Sequence, residues 1–144
     1  MAVGTDSECQ IDPLEDVRAL EYHLRLVELQ RAVLDPGGAT VDGTGARLYS
    51  IASEGGLRSL GLPGGALRRG EPADFLIVDL DDPSLAGAAE DDLAAAAVFS
   101  LQRTAIREVR VAGEAIVRNG LTGREAEVVP AFRAAMSRLW GGLR

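Results

Sequence analysis

Ala2-Val3-Gly4-Thr5-Asp6-Ser7 has the form of a buried strand that delivers an acidic residue at its C-terminal tip, and Asp12-Pro13-Leu14-Glu15 then opens a long helix. In a β/α barrel this arrangement presents a catalytic or metal-binding carboxylate at the barrel mouth. Eight such units need about 250 residues, and this chain has 144. A whole barrel does not fit. The opening therefore predicts the last strand of something larger, and the chain reads as the C-terminal piece of an enzyme with an incomplete α/β fold.

The first helix has three agreeing start signals: Asp12 as cap, Pro13 at the first helical position and Glu15 closing a capping box. It is expected to run to about Leu34, where Asp35-Pro36-Gly37-Gly38 stops it. Leu14, Val17, Leu20, Leu24 and Val27 form one apolar stripe, and Tyr22, Leu26, Leu29 and Val33 a second. Two stripes predict a helix sandwiched between neighbours. Gly37 to Gly45 reads as a surface loop, with Thr44 capping a second helix from about Ala46 to Leu60 and Gly61 as its left-handed terminator. Gly55-Gly56 would weaken an exposed helix, which points to a close backbone contact or to a break.

Beyond a Gly- and Pro-rich stretch, residues 73–80 form an apolar strand closed by the turn Asp81-Asp82-Pro83-Ser84. A short Ala-rich helix is expected at about Glu90 to Phe99. Ile106–Val111 and Glu114–Arg118, joined by Ala112-Gly113, have the alternation and loop length of a β-hairpin. An amphipathic closing helix is expected from about Pro130 to Trp140.

Charge narrows the function. A net charge of −7 and a pI near 4.7 exclude a nucleic-acid surface, which needs clustered positive charge. A single cysteine rules out an internal disulfide framework. The absence of a signal-peptide or membrane-spanning stretch makes the cytoplasm the default expectation, with no membrane partner.

Among residues able to carry chemistry, Asp6 is the one candidate for a metal ligand and proton acceptor; a turn aspartate capping the backbone is the alternative. His23 lies mid-helix without a partner motif and reads as a hydrogen-bonding structural histidine. Cys9 has neither a neighbouring His nor a Cys-x-x-Cys and is expected to be a buried or partly buried structural thiol. Gly61-Leu62-Pro63-Gly64-Gly65-Ala66 lacks the Lys of a phosphate loop and is a set of turns. Glu90-Asp91-Asp92 reads as a solvated helix start.

Taken in order, Gly4-Thr5-Asp6-Ser7, the long helix, Leu60-Gly61, Gly65-Ala66-Leu67-Arg68-Arg69-Gly70-Glu71-Pro72-Ala73-Asp74-Phe75-Leu76-Ile77-Val78-Asp79 and the hairpin through Asn119-Gly120 resemble the C-terminal end of metal-dependent amidohydrolases. Arg18-Ala19-Leu20-Glu21-Tyr22 and Asp82-Pro83-Ser84-Leu85-Ala86 are most similar to the formimidoylglutamate deiminases among them. Glu8-Cys9-Gln10 departs from the deiminase pattern, in which a His commonly follows Asp-Ser.

The resemblance implies the last β/α unit of a (β/α)8 barrel over residues 1–60, C-terminal strands of a small β-sandwich over 61–120, and a helical tail over 121–144. It further implies that Asp6 is the metal-binding, water-activating aspartate of the final barrel strand. The ion, usually zinc, would serve conversion of N-formimidoyl-L-glutamate to N-formyl-L-glutamate and ammonia in histidine degradation. The family's His ligands have no counterparts here, so the chain alone is expected to be inactive and metal-free. Its expected partners are a small-molecule substrate in the complete enzyme and an upstream barrel fragment. The alternative is a free-standing, non-catalytic interaction module.

Overall fold

The computed structural model describes residues 1–7, 9–37 and 42–141. The chain order is helix α1 (Pro13–Glu28), helix α2 (Gly43–Ser50), a π-helical turn (Ile51–Gly55), helix α3 (Gly56–Ser59), strand β1 (Phe75–Val78), a 3₁₀ turn (Glu90–Asp92), helix α4 (Leu93–Phe99), strands β2 (Ile106–Val111) and β3 (Glu114–Arg118), and helix α5 (Glu125–Gly141). Most of the expected loop between Gly37 and Gly45, Glu8 within Glu8-Cys9-Gln10, and the last three residues of the tail lie outside the described residues.

The start of α1 follows two of its three local signals; the expected capping box does not close, because the Glu15 carboxylate takes Arg18 at 3.2 Å instead. The Asp12 carboxylate accepts the Leu14 amide at 3.0 Å, with Pro13 at the first helical position. The end does not, because α1 stops at Glu28 and Leu29 turns left-handed at φ 53°. The cause is Glu21, whose fully buried side chain accepts the amides of Val33 and Leu34, each at 3.1 Å, and the Arg25 guanidinium at 2.8 Å. One carboxylate thus folds the chain back toward the helix it has just left.

The sandwiching expected of α1 is also corrected. Val17 is buried with Leu48, Ile51 and Val98, and Leu20 packs on that cluster. Tyr22, Leu26 and Leu29 of the second stripe are exposed, as is Val27, because α2, the π turn and α4 cover one side of α1 only. Arg18 ties α1 to α4 by donating to the Val98 carbonyl and, at 3.3 Å, to that of Leu101.

Helix α2 opens at Gly43, ahead of the expected Thr44 cap, and the residue before it, Asp42, has another task. Its carboxylate accepts the amides of Ala94, at 3.0 Å, and Ala95, and so caps α4 from across the molecule. The two helices cross closely there: a Cβ on Gly45 would lie 2.5 Å from the Ala95 backbone. Gly55 resolves the sequence ambiguity in both ways, since it closes the π turn and a Cβ on it would collide with the Met1 carbonyl. The helical run then ends as expected. Leu60 is followed by Gly61 at φ 69°, and the Leu62 and Gly61 amides return to the carbonyls of Leu57 (3.0 Å) and Arg58 (3.1 Å).

Strands β1, β2 and β3 make an antiparallel sheet in that order. Leu76, Val109 and Val117 align across it, giving one apolar face. The hairpin forms with φ 51° at Ala112 and 81° at Gly113, the two positive angles a type I′ turn needs. Asp74 pins its tip by accepting the Ala112 amide at 2.6 Å, while the Ala73 carbonyl takes that of Gly113 at 2.9 Å. The Ala-Asp and Ala-Gly dipeptides of the sequence are therefore two halves of one contact. An apolar cleft of about 550 Å³, lined by Leu14, Tyr49, Ala52, Leu76, Val78 and Ile106, separates sheet from helices.

At the start of β2, Arg107 pairs with Asp79, its Nε donating at 3.1 Å, and the Asp81 amide adds a bond at 3.0 Å. The Arg107 hydrogen bond first, then the Asp81 amide, hold the Asp79 carboxyl below its ordinary 3.8. A lowered folded pKa gives stabilisation that is present above the ordinary carboxylate value and is lost as pH falls through the lowered one. In Arg107→Gln, the Asp79 pKa is expected to rise toward the ordinary value in an NMR titration of the carboxyl carbon. An unmoved midpoint would show that the guanidinium does not set it.

Helix α5 starts at Glu125, before the expected Pro130. Thr122 and Glu125 form a capping box, with the Thr122 amide on the Glu125 carboxylate at 2.7 Å and the Arg124 amide on the Thr122 hydroxyl at 3.2 Å. None of its residues is buried.

Candidate functional site

Residues 1–5, expected as a barrel strand, carry no β-ladder; a strand needs a neighbour to take its alternate amides and carbonyls, and none of the described strands lies alongside. The segment is nevertheless held. Val3 packs on the Val17, Leu48, Ile51 and Val98 cluster, and the Met1 carbonyl lies against Gly55.

The chain then turns at Asp6, which is exposed and left-handed at φ 33°. A non-glycine residue there is uncommon, though aspartate tolerates it better than most. Among the described residues its carboxylate takes part in no hydrogen bond or ion pair. An anchored segment thus ends in a solvent-facing carboxylate, a group able to accept a proton or give one oxygen to a cation.

The other two candidates are elsewhere. His23 is on the exposed side of α1, where its Nδ1 donates to the Ala19 carbonyl at 2.8 Å, a bond within its own helix. Cys9 is exposed, against the expectation of burial, because residues 9–12 run over the surface beside a polar groove that they line with Arg18, Gln102 and Arg103. Among the described residues no group of three or more His, Cys, Asp or Glu side chains is placed to hold a metal ion. One carboxylate suits one coordination position of a zinc-like ion but falls short of a site, which needs about three protein ligands.

Sequence reasoning missed three acidic residues that organise this frame: Glu21, Asp42 and Asp74. Glu21 had a readable signal, since it falls on the Val17 face of α1 and four residues before Arg25, the spacing of a helical ion pair.

Comparison with known proteins agrees with this frame. Residues 1–116 match the amidohydrolase family. A formimidoylglutamate deiminase from Pseudomonas aeruginosa is 34% identical over 139 residues, which are 96% of this chain and 30% of that protein. A crystal structure of an amidohydrolase from Brucella melitensis superposes with a TM-score of 0.79 at 29% identity, again over 96% of this chain and 30% of the other. An adenosine deaminase from Xanthomonas campestris, solved with bound zinc, gives a TM-score of 0.71 at 22% identity over 96% of this chain and 29% of that one, a likeness of fold. The chain spans about 30% of the length of these relatives. Among the described residues no helix is long and apolar enough to cross a membrane. With its first 116 residues matching, the chain belongs to the amidohydrolase family.

Proposed function

We propose that this chain is the closing portion of a metal-dependent amidohydrolase that hydrolyses a C–N bond, with Asp6 as its metal-holding and proton-accepting carboxylate. The observation that carries the reading is the anchored Met1–Thr5 segment ending in the exposed carboxylate of Asp6. In this reading residues 1–60 complete a (β/α)8 barrel, 61–120 contribute strands to a small β-sandwich, and 121–144 form a helical tail. The helix α4 is the exception within 61–120, since it packs back on α1 and α2.

The identity to the Pseudomonas deiminase supports N-formimidoyl-L-glutamate as substrate. Water would add to the formimidoyl carbon, and the bond from that carbon to the terminal nitrogen would break, leaving N-formyl-L-glutamate and ammonia. A divalent ion, zinc in this proposal, supplies Lewis-acid polarisation when bound. Asp6 takes the proton from the attacking water and, once protonated, can return it to the departing nitrogen. The remaining ligands and the substrate contacts would come from an upstream barrel.

One carboxylate does not make this chemistry, so the purified chain is expected to be inactive. Zinc titration by calorimetry and an ammonia-release assay with formimidoylglutamate test this directly. A stoichiometric zinc site together with turnover would overturn the reading. The positive test is a chimera in which this chain replaces the matching 30% of the Pseudomonas enzyme; a folded, zinc-loaded chimera that releases no ammonia would remove the substrate assignment.

A further inference from the structure

We propose that α5 pairs, antiparallel, with α5 of a second copy of this chain. The helix has no buried residue, yet Val128, Phe132, Ala135 and Leu139 repeat at intervals of four, three and four. That is the seam spacing of paired helices. Phe132 is 63% and Leu139 66% exposed, too much apolar surface in one line for a helix meant for water alone.

Two arguments select a second copy in antiparallel orientation. The first is charge. Glu127 and Arg138 lie on the same flank of the seam, each about 100° round the helix from its centre at 100° per residue. With a two-fold axis between Arg133 and Ala134, Glu127 of each copy lies on the same side of the seam as the partner's Arg138 and within two residues of it along the axis, about 3 Å, and symmetry makes two such pairs. A parallel pair would instead put the Glu127 and Arg138 of one copy on the opposite side of the seam from those of the other, where they do not pair. Glu127 already pairs with Arg124 of its own helix at 3.2 Å, but both are about two-thirds exposed, and a carboxylate accepts more than one donor. The second argument is shape. The same axis sets Val128 beside the partner's Leu139 and Phe132 beside the partner's Ala135, large against small, which lets the layers interdigitate.

Sedimentation equilibrium on the full chain tests the pairing, with circular dichroism to check that each variant folds. Glu127→Arg or Arg138→Glu alone is expected to weaken dimerisation about tenfold, since each creates two like-charge contacts. Glu127→Arg with Arg138→Glu should restore the wild-type dissociation constant to within about twofold. In a Cys9→Ser background, Val128→Cys with Leu139→Cys should cross-link two copies on oxidation, and neither single cysteine should. A monomeric wild-type chain, a dimer indifferent to single charge reversals, a double reversal that fails to restore it, or cross-linking by each single cysteine would overturn the proposal.

Discussion

In the chimeric enzyme, Asp6→Asn is expected to lower turnover on the order of a hundredfold or more while leaving the fold unchanged. Asparagine keeps the shape of the side chain but carries no charge, so it holds a cation weakly and cannot accept a proton from water at neutral pH. A general acid–base group is worth about a hundredfold or more in rate. His23→Ala and Cys9→Ala are the comparison, because His23 bonds to Ala19 within its own helix and Cys9 sits on the surface. Turnover and bound zinc measured for the three variants decide the assignment. If Asp6→Asn keeps near-normal activity, or His23→Ala loses as much, Asp6 is not the working carboxylate.

Glu21→Ala is expected to destabilise the helical layer by about 2 kcal/mol, the scale of leaving hydrogen-bond donors without their acceptor. The Glu21 side chain is fully buried and accepts three donors, so its removal strands the Val33 and Leu34 amides together with the Arg25 guanidinium. The two amides, only partly buried, carry most of that cost, since the Arg25 side chain is exposed enough to reach water. Glu21→Gln isolates the role of charge, since it can still accept from the amides but weakens the bond to Arg25. Urea unfolding of both variants checks this, and a loss under about 1 kcal/mol for Glu21→Ala would mean that the 29–34 turn holds without it.

What could be read from the sequence was local. The start of α1, the Gly61 terminator and the I′ hairpin each rest on residues within five positions of one another, and each element formed where expected. The misreadings were decided at a distance. The end of α1 depends on Glu21 reaching amides 12 and 13 residues away, and Asp42 serves a helix 52 residues on, while α2 opens at Gly43 and leaves Thr44 inside it. The start of α5 was local but masked, because Pro130 resembles a first helical residue and drew attention from the Thr122–Glu125 box. At the candidate site the sequence offered an acidic turn and little else. Asp6 could be named because strand, turn and helix signals flank it, but its setting depends on Val3 and Gly55, whose contacts are tertiary.

The cap that Asp42 places on α4 also bears on how this part of the chain tolerates change in length. The polypeptide leaves the helical layer at Leu60 and rejoins it at Leu93, and Asp42, with Gly45 at Ala95, fixes the point of return. Everything between is an excursion whose two ends are held by contacts outside it. Closing a longer excursion costs only about 0.6 kcal/mol for each doubling of its length. The exposed turn at Gly70, where nothing lies within 4 Å of an added Cβ, is thus a place where the sheet portion can gain residues while the helices beneath Asp6 keep their arrangement.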